Sequence, residues 1–252
     1  MEQPVDPVQR AFLGVERSAS GNRWVSRLDQ AGQNRALAIA QVHGLPELIA
    51  RVLAGRGVGI DEAMAFLDPT IRSLMPDPYL LTDCEKAAQR LLRAIKAGET
   101  VAIFGDYDVD GAASSALLYR FLTHFGVSAS IYIPDRIFEG YGPNPNAINQ
   151  LIDNGATLIA TVDCGSTSFE ALEAASARNI DVVVIDHHQV AHELPPCHAL
   201  VNPNREDDLS GQGHLCAAGV VFLVLVAALR QLREAGDSRA RSVDLLAWLD
   251  IV

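Results

Sequence analysis

The alternation of apolar and polar positions divides the first hundred residues into two parts. Residues 1–43 hold scattered charges and few apolar runs, which predicts a weakly ordered arm. From residue 44 to 98 apolar residues recur at helical spacing. The stretches 45–57 and 60–75 predict two short helices, and 83–97 predicts a third. We therefore expect a helical lead-in over residues 44–98.

Short apolar runs alternate with helical patterns over residues 99–252. The runs lie at 101–105, 129–134, 157–163, 181–187 and 199–202, with helices predicted near 111–125, 146–153 and 168–178. This alternation is typical of a parallel sheet, and continuous apolar strands fit a sheet covered on both faces. The predicted fold class is α/β: a Rossmann-like parallel sheet of about five strands with helices on both faces, preceded by the helical segment.

Composition narrows the choice of cell compartment and ligand. The four cysteines are widely spaced, without a C-x-x-C pair, so neither a disulfide framework nor a zinc site is indicated and we expect a cytoplasmic protein. The most apolar stretch, 216–229, is shorter than the roughly twenty residues that cross a membrane, so we expect no membrane association. The net charge of −11 argues against long-range attraction of nucleic acid by this chain alone.

Acids and histidines follow three of the predicted strands. They are Asp106, Asp108 and Asp110, then Asp163, then Asp186, His187 and His188. The carboxyl ends of parallel strands meet at one edge of a sheet, so we expect these side chains to converge. Clustered carboxylates repel one another unless a cation or solvent lies among them. Carboxylates with one or two imidazoles suit Mn²⁺ or Mg²⁺, so the pattern predicts a divalent metal site.

Each motif taken alone has a plainer explanation. Alternate aspartates commonly form a solvated or Ca²⁺-binding turn, and a pair of histidines is commonly structural or exposed. Their placement after three separate strands favours a common metal site.

The same motifs resemble the first three motifs of the DHH superfamily of phosphoesterases. They read Asp106-Tyr107-Asp108-Val109-Asp110-Gly111, Asp163-Cys164-Gly165 and Asp186-His187-His188. Within that superfamily the RecJ-type nucleases have segments similar to Pro134-Asp135-Arg136, Glu139-Gly140-Tyr141-Gly142 and Val201-Asn202-Pro203-Asn204. The resemblance runs from about residue 87 to the end of the chain and implies that residues 99–252 form a DHH catalytic domain.

This resemblance implies a centre of two Mn²⁺ or Mg²⁺ ions. The implied ligands are Asp106, Asp108, Asp110, Asp163 and His187. Among them Asp108 and Asp110 each hold one ion and Asp163 bridges both. Asp186 is a candidate acceptor for the far nitrogen of a metal-bound imidazole, and His188 is expected to meet a phosphate or the attacking water. All of these except Asp106 and Asp186 are expected to be catalytic.

Three further residues are candidates for binding substrate. Ser114 lies near the start of a predicted helix, whose amides attract phosphate, although a plain helix cap is the alternative. Arg136 is expected to clamp a phosphate, or else to pair with a neighbouring acid. Tyr141 is expected to support a sugar or base, or else to pack in its turn.

By resemblance the chain is a metal-dependent phosphodiesterase that degrades single-stranded DNA from the 5′ end to mononucleotides during DNA repair and recombination. Single-stranded DNA is the implied partner, with a single-strand-binding protein and a helicase as further candidates. One alternative is a DHH phosphodiesterase for short oligonucleotides or cyclic dinucleotides, which commonly has His where Phe104 stands. An inactive DHH-type scaffold in replication or repair is the non-enzyme alternative.

The chain ends at 245–252 within what resembles the start of the family's fourth motif region. We therefore expect a DHH domain that is incomplete at its C-terminus and lacks the DHHA1-type and OB-type domains of relatives. Weakened metal binding and low or lost activity are the expected consequences.

Overall fold

The computed structural model describes residues 11–190 and 192–252, and the chain divides into two compact units at Met75 and Pro76. Within the first unit, a short 3-10 helix at Phe12–Gly14 precedes four helices. They are α1 (Gln30–His43), α2 (Glu47–Gly55), α3 (Ala63–Leu67) and α4 (Ile71–Leu74). Small and aliphatic side chains from α1 and α2, including Ile39 and Leu53, form its core.

Two expectations for this unit need correction. The prediction of a weakly ordered arm is wrong for residues 30–43, which form α1. The Asp29 side chain caps this helix by accepting a hydrogen bond from the amide of Gly32 at 2.7 Å. The alanines within α1 also favour the helical conformation. The part of that prediction that covers residues 1–10 lies outside the described residues. The stretch 60–75 forms two helices instead of one, since Pro69 interrupts the backbone hydrogen bonding between them.

The second unit alternates strands and helices as predicted. Its helices are α5 (Cys84–Ala97), α6 (Val109–His124), α7 (Pro145–Asp153), α8 (Phe169–Ala177) and α9 (Ala217–Glu234). Its strands are β1 (Thr100–Gly105), β2 (Ser128–Tyr132), β3 (Leu158–Val162), β4 (Asp181–Ile185) and β5 (Ala199–Val201). Helix α5, predicted as part of the lead-in, packs against α9 and β5 and so belongs to this unit.

The five strands form one sheet in the order β2-β1-β3-β4-β5, and every neighbouring pair is parallel. After β1 the chain first adds β2 on one side and then crosses to place β3 on the other. The strand order therefore reverses between β1 and β3, and in open parallel sheets ligands bind at the carboxyl ends of the strands beside such a reversal. The acids and histidines of the predicted metal site follow β1, β3 and β4.

Alternate residues of the strands belong to two hydrophobic cores. Val101 and Ile103 pack in the core that contains α5, α6 and α9. Ala102 and Phe104 pack in the core that contains α7 and α8. The prediction of helices on both faces is thus confirmed. Most residues of α9 are buried. Within the described residues no helix has the length and apolar character needed to span a membrane.

Candidate metal centre at the carboxyl edge of the sheet

The loops after β1, β3 and β4 converge as the sequence predicted. One oxygen from each of Asp106, Asp108 and Asp163 lies within 4.8 Å of the other two. One ligand atom from each of Asp163, His187 and His188 forms a second group of the same size. Because Asp163 belongs to both groups, the arrangement offers two adjoining positions that share one carboxylate.

Asp163 is the most unusual of these groups. Its backbone adopts φ +60°, its exposed fraction is 1 %, and neither carboxylate oxygen accepts a hydrogen bond from the described residues. Burial, with the charges of Asp110 and Asp108 added, raises the pKa of its carboxyl to about 8. A buried carboxylate without donors is strongly disfavoured unless a cation compensates it. This arrangement fits a divalent cation.

The two other carboxylates of the first group have different surroundings. Burial raises the pKa of Asp106, although the amide of Tyr107 donates to its carboxylate at 2.7 Å. Asp108 caps α6 by accepting from the amides of Asp110 and Gly111 at 2.9 and 3.0 Å. The bond from Gly111 is the main cause of the lowered pKa of Asp108. Asp108 is therefore held ionised in a fixed orientation.

Asp110 and His187 are both held by the segment that begins α9. The amides of Ala217 and Ala218 donate to the carboxylate of Asp110 at 2.7 and 2.8 Å. The Nδ1 atom of His187 lies 3.1 Å from the carbonyl oxygen of Leu215, which can only accept, so Nδ1 carries the proton. Its Nε2 atom then faces Asp163 and Asp110 at 3.3 and 3.6 Å. One nitrogen and two carboxylates thus face the same space, as ligands of one ion would.

Asp186 and His188 form a hydrogen-bonded pair beside this space. The Nδ1 atom of His188 lies 2.7 Å from the carboxylate of Asp186, and this bond raises the pKa of His188 to about 9. Burial alone would raise the pKa of Asp186, but donors from His188 and Ser166 lower it to about 2. The expected role of Asp186 is therefore corrected: its carboxylate binds the imidazole of His188, while the imidazole of His187 is oriented by Leu215.

Arg136 and Tyr141 lie at the rim of the centre. The Arg136 guanidinium is exposed and stacks over the ring of Tyr107 at 4.9 Å. It forms no ion pair with a described acid within 4.0 Å. The Tyr141 hydroxyl lies 3.3 Å from Nε2 of His188, and burial raises the pKa of Tyr141. Both side chains are therefore available to a ligand that reaches His188.

A cleft of about 820 Å³ opens beside His188. The residues around it come from the start of α7 and the loop before it, the loop after β3, the start of α8 and the loop after β4. Tyr141, Pro143 and Phe169 provide apolar walls, and Thr167 and Gln189 provide polar groups. Its size and mixed lining are typical of small-molecule sites.

The expectation for Ser114 is wrong. Its side chain is completely buried inside α6, so a phosphate has no access to it. The amides at the start of the helix are also occupied, since those of Asp110 and Gly111 bind the Asp108 side chain and that of Ala112 binds the Asp108 carbonyl. Ser114 does not cap the helix either, because α6 begins at Val109 and Asp108 is its capping residue.

Several contributors were missed by the sequence analysis. Leu215, Ala217 and Ala218 act through backbone groups, which the sequence does not reveal. Asn202 and Asn204 act through their side chains and lie in the segment that the resemblance singled out without a role. Their position directly after β5 could have indicated a role, because the loops after β1, β3 and β4 at the same edge of the sheet all carry residues of the centre.

Comparisons with known proteins agree with this geometry. The model of the DHH family, N-terminal domain, matches residues 100–248. The single-stranded-DNA-specific exonuclease RecJ of Bacillus subtilis is 31 % identical over 216 residues, covering 86 % of this chain and 27 % of that protein. RecJ of Escherichia coli is 35 % identical over 212 residues, covering 82 % of this chain and 36 % of that protein.

A solved structure supports the same assignment. The crystal structure of RecJ from Thermus thermophilus in complex with Mn²⁺ superposes with a TM-score of 0.64 at 27 % identity, covering 79 % of this chain and 28 % of that one. The chain thus spans about a third or less of the length of these relatives. Since the family model matches more than half of it, and its motifs form the expected cluster, the chain belongs to the DHH family.

Proposed function

We propose that this chain carries the metal centre of a single-stranded-DNA exonuclease that releases mononucleotides from the 5′ end in DNA repair and recombination. The observation that carries the proposal is the donor-free, buried carboxylate of Asp163 between two groups of potential ligands. The similarity to RecJ proteins, which are named single-stranded-DNA-specific exonucleases, supports the choice of substrate.

Two divalent ions are the proposed cofactors, Mn²⁺ or Mg²⁺. Asp106, Asp108 and Asp163 would hold one ion, and Asp163, Asp110 and His187 the other. His188, the third member of the second group, is bound by Asp186 and is assigned to the substrate instead. Oxygen ligands suit Mg²⁺ and the imidazole favours Mn²⁺. When bound, such ions supply a hydroxide at neutral pH, stabilise charge on the attacked phosphate, and offset part of the −11 net charge of the chain.

The protein's own groups bind and orient the phosphodiester. The hydrogen bond to Asp186 raises the pKa of His188 to about 9 and so favours the cationic ring, whose Nε2 atom lies toward the Tyr141 hydroxyl. Arg136 adds a second cation at the rim, with a planar fork suited to phosphate oxygens. Together they would hold a phosphate next to Asp163 while Tyr141 limits the freedom of the His188 ring.

The cleft beside His188 would receive a nucleoside of the strand. Tyr141, Pro143 and Phe169 offer apolar surface for a base or sugar, and stacking on aromatic side chains tolerates any base. A centre at the carboxyl edge with an open cleft suits an unpaired strand end. Single-stranded DNA is thus the proposed partner; a single-strand-binding protein, a helicase and a cytoplasmic location remain predictions from the sequence.

The test measures release of mononucleotides from 5′-labelled single-stranded DNA with added Mn²⁺. It compares this chain, and a form extended on the C-terminal side, with their Asp163→Asn variants. Asp153→Asn is the matched control, because Asp153 forms only an exposed ion pair with Arg178. We expect release to be lost in Asp163→Asn and kept in Asp153→Asn. Cleavage of dinucleotides without cleavage of long strands by the extended form would overturn the proposal in favour of a short-oligonucleotide phosphodiesterase.

A further inference from the structure

Asn202 is a buried amide at the carboxyl edge of the sheet that the proposed chemistry does not use. It directly follows β5, and its exposed fraction is 0 %. A side-chain amide placed where water cannot reach it must find partners for its N–H and C=O groups within the protein. The partners of Asn202 therefore show what it holds together.

Its hydrogen bonds join three loops of the centre. The Nδ2 atom donates to Ser166 Oγ in the loop after β3, and to the carbonyl oxygen of His188 in the loop after β4, each at 2.9 Å. The Oδ1 atom accepts from the amide of Asn204 at 2.8 Å. The side chain thus uses one donor for the loop after β3, the other donor for the loop after β4, and its acceptor for its own loop after β5.

Asn204 extends the same connection. Its side-chain nitrogen donates to the carbonyl oxygen of His187. The backbone at Gly213 passes so close that a Cβ atom there would lie 2.6 Å from Asn204 Oδ1. Two consecutive carbonyls, those of His187 and His188, are therefore each held by a side-chain amide from one short segment after β5.

The Asp163 side of the centre is reached through Ser166. The Ser166 amide donates to the Asp186 carboxylate at 3.1 Å, and its hydroxyl accepts from Asn202. Ser166 is three residues after Asp163 in the same tight loop, where Gly165 adopts φ +110°. Asn202 consequently links the loop that carries Asp163 to the loop that carries both histidines.

We propose that Asn202 is a positioning residue of the metal centre: its amide fixes the distance and orientation of the His187–His188 backbone relative to the Asp163 loop, so that metal affinity depends on it. The inference rests on the metal centre of the proposed function. An amide is required at this position because Ser166 Oγ and the carbonyl oxygen of His188 each accept a hydrogen bond from the side chain, while the amide of Asn204 donates one to it. Aspartate supplies no donor, and an aliphatic residue supplies neither.

The test is a Mn²⁺ titration of the 252-residue chain. Binding is measured by calorimetry and by electron paramagnetic resonance of the unbound ion. The variants are Asn202→Asp, which keeps the shape, and Asn202→Ala. We expect roughly 10- to 100-fold weaker Mn²⁺ binding by both, the range for residues that orient metal ligands. Added negative charge alone would strengthen binding in Asn202→Asp, so weaker binding separates positioning from electrostatics.

The control is Leu232→Ala, a buried residue near the far end of α9 and away from the centre. It is used at a temperature where the folded fraction matches that of the Asn202 variants, and it should bind Mn²⁺ like the wild type. If the Asn202 variants also bind Mn²⁺ within about twofold of the wild type, well short of the change expected for a residue that orients ligands, the residue is only structural and the inference fails.

A second measurement needs no metal. Long-range ¹H–¹⁵N spectra of the imidazoles in the metal-free chain report the tautomer of His187, which should be Nδ1-protonated in the wild type because it faces Leu215. We expect a mixture of tautomers in Asn202→Ala and a single tautomer in Leu232→Ala. An unchanged His187 spectrum in Asn202→Ala would overturn the inference about Asn202, whether or not the wild type binds Mn²⁺. Failure of the wild type to bind Mn²⁺ would instead overturn the proposed metal centre.

Discussion

The loops after β3 and β4 bury the same chemical group in opposite ways. Asp163 and Asp186 are each 1 % exposed. Asp186 accepts from the backbone amides of Ser166, His187 and His188 and from the His188 ring, and its pKa is lowered to about 2. Asp163 has no hydrogen-bond donor among the described residues, and its pKa is raised to about 8.

The difference separates a structural carboxylate from one that awaits a cation. Burial disfavours the charge of both groups, and only donors or a cation can compensate it. Asp186 has its compensation within the fold, so it stabilises the loop that presents the two histidines. Asp163 does not, so its ionised form is unfavourable in the metal-free fold, at the position where both ligand groups meet.

The largest effect is expected from Asp163→Asn. We expect loss of Mn²⁺-dependent stabilisation, which for the wild type amounts to about 2.7 kcal/mol at about a hundred times the dissociation constant. Without metal the variant should be as stable as the wild type or more stable, because the wild type has to take up a proton on Asp163 when it folds, whereas asparagine is neutral in both states. Thermal unfolding with and without Mn²⁺ measures both effects. An unchanged shift of Tm by Mn²⁺ in the variant would show that Asp163 is not a ligand.

Asp186→Asn should behave in the opposite way. It removes the negative charge and one of the two acceptor oxygens that serve three backbone amides and the His188 ring. We therefore expect the metal-free protein to lose about 2–3 kcal/mol of unfolding free energy. Urea unfolding without metal checks this. Asp153→Asn is the control, since Asp153 forms an exposed ion pair with Arg178 and should change stability by about 1 kcal/mol or less. Equal losses of stability in Asp186→Asn and Asp163→Asn without metal would contradict the contrast between the two carboxylates.

The pair of Asp186 and His188 predicts a pH dependence. A histidine whose pKa is raised by folding stabilises the fold while it is protonated. Its contribution is therefore complete below about pH 6.5 and is lost as the pH rises to about 9. Because the ring is half exposed, we expect at most about 1 kcal/mol. The difference in Tm between wild type and His188→Gln should shrink over this range, and a constant difference would argue against the pair.

The smallest effect is expected at the rim. Arg136→Lys keeps the charge but loses the planar fork over Tyr107, so we expect about two- to fivefold weaker binding of single-stranded DNA, a change of roughly 0.5–1 kcal/mol. Fluorescence anisotropy with a short labelled oligonucleotide measures it. Arg178→Lys, on the exposed ion pair with Asp153, should bind like the wild type. Equal affinity of all three proteins would remove Arg136 from the proposed phosphate site.

Much of the second unit could be predicted from the sequence. The strand that ends before Asp106 and the one that ends before Asp163 are continuous apolar runs. Such runs are typical of a parallel sheet that is covered by helices on both faces. The first unit was harder, because α1 buries little more than Ala36 and Ile39 on one side. A helix that depends on alanine and on the Asp29 cap leaves a weak periodic signal.

The sequence by itself determined which groups arrive at the carboxyl edge, since the strand pattern, the crossover rule and the motif order place Asp106, Asp163 and His187 there. Only the tertiary structure decided how each is used. Ser114 turns into the core, Asp186 binds the ring of His188, and Asp110 is held by amides more than a hundred residues away in the chain. Local sequence cannot specify such bonds, because their donors are brought into reach only when α9 and the strand-end loops pack together.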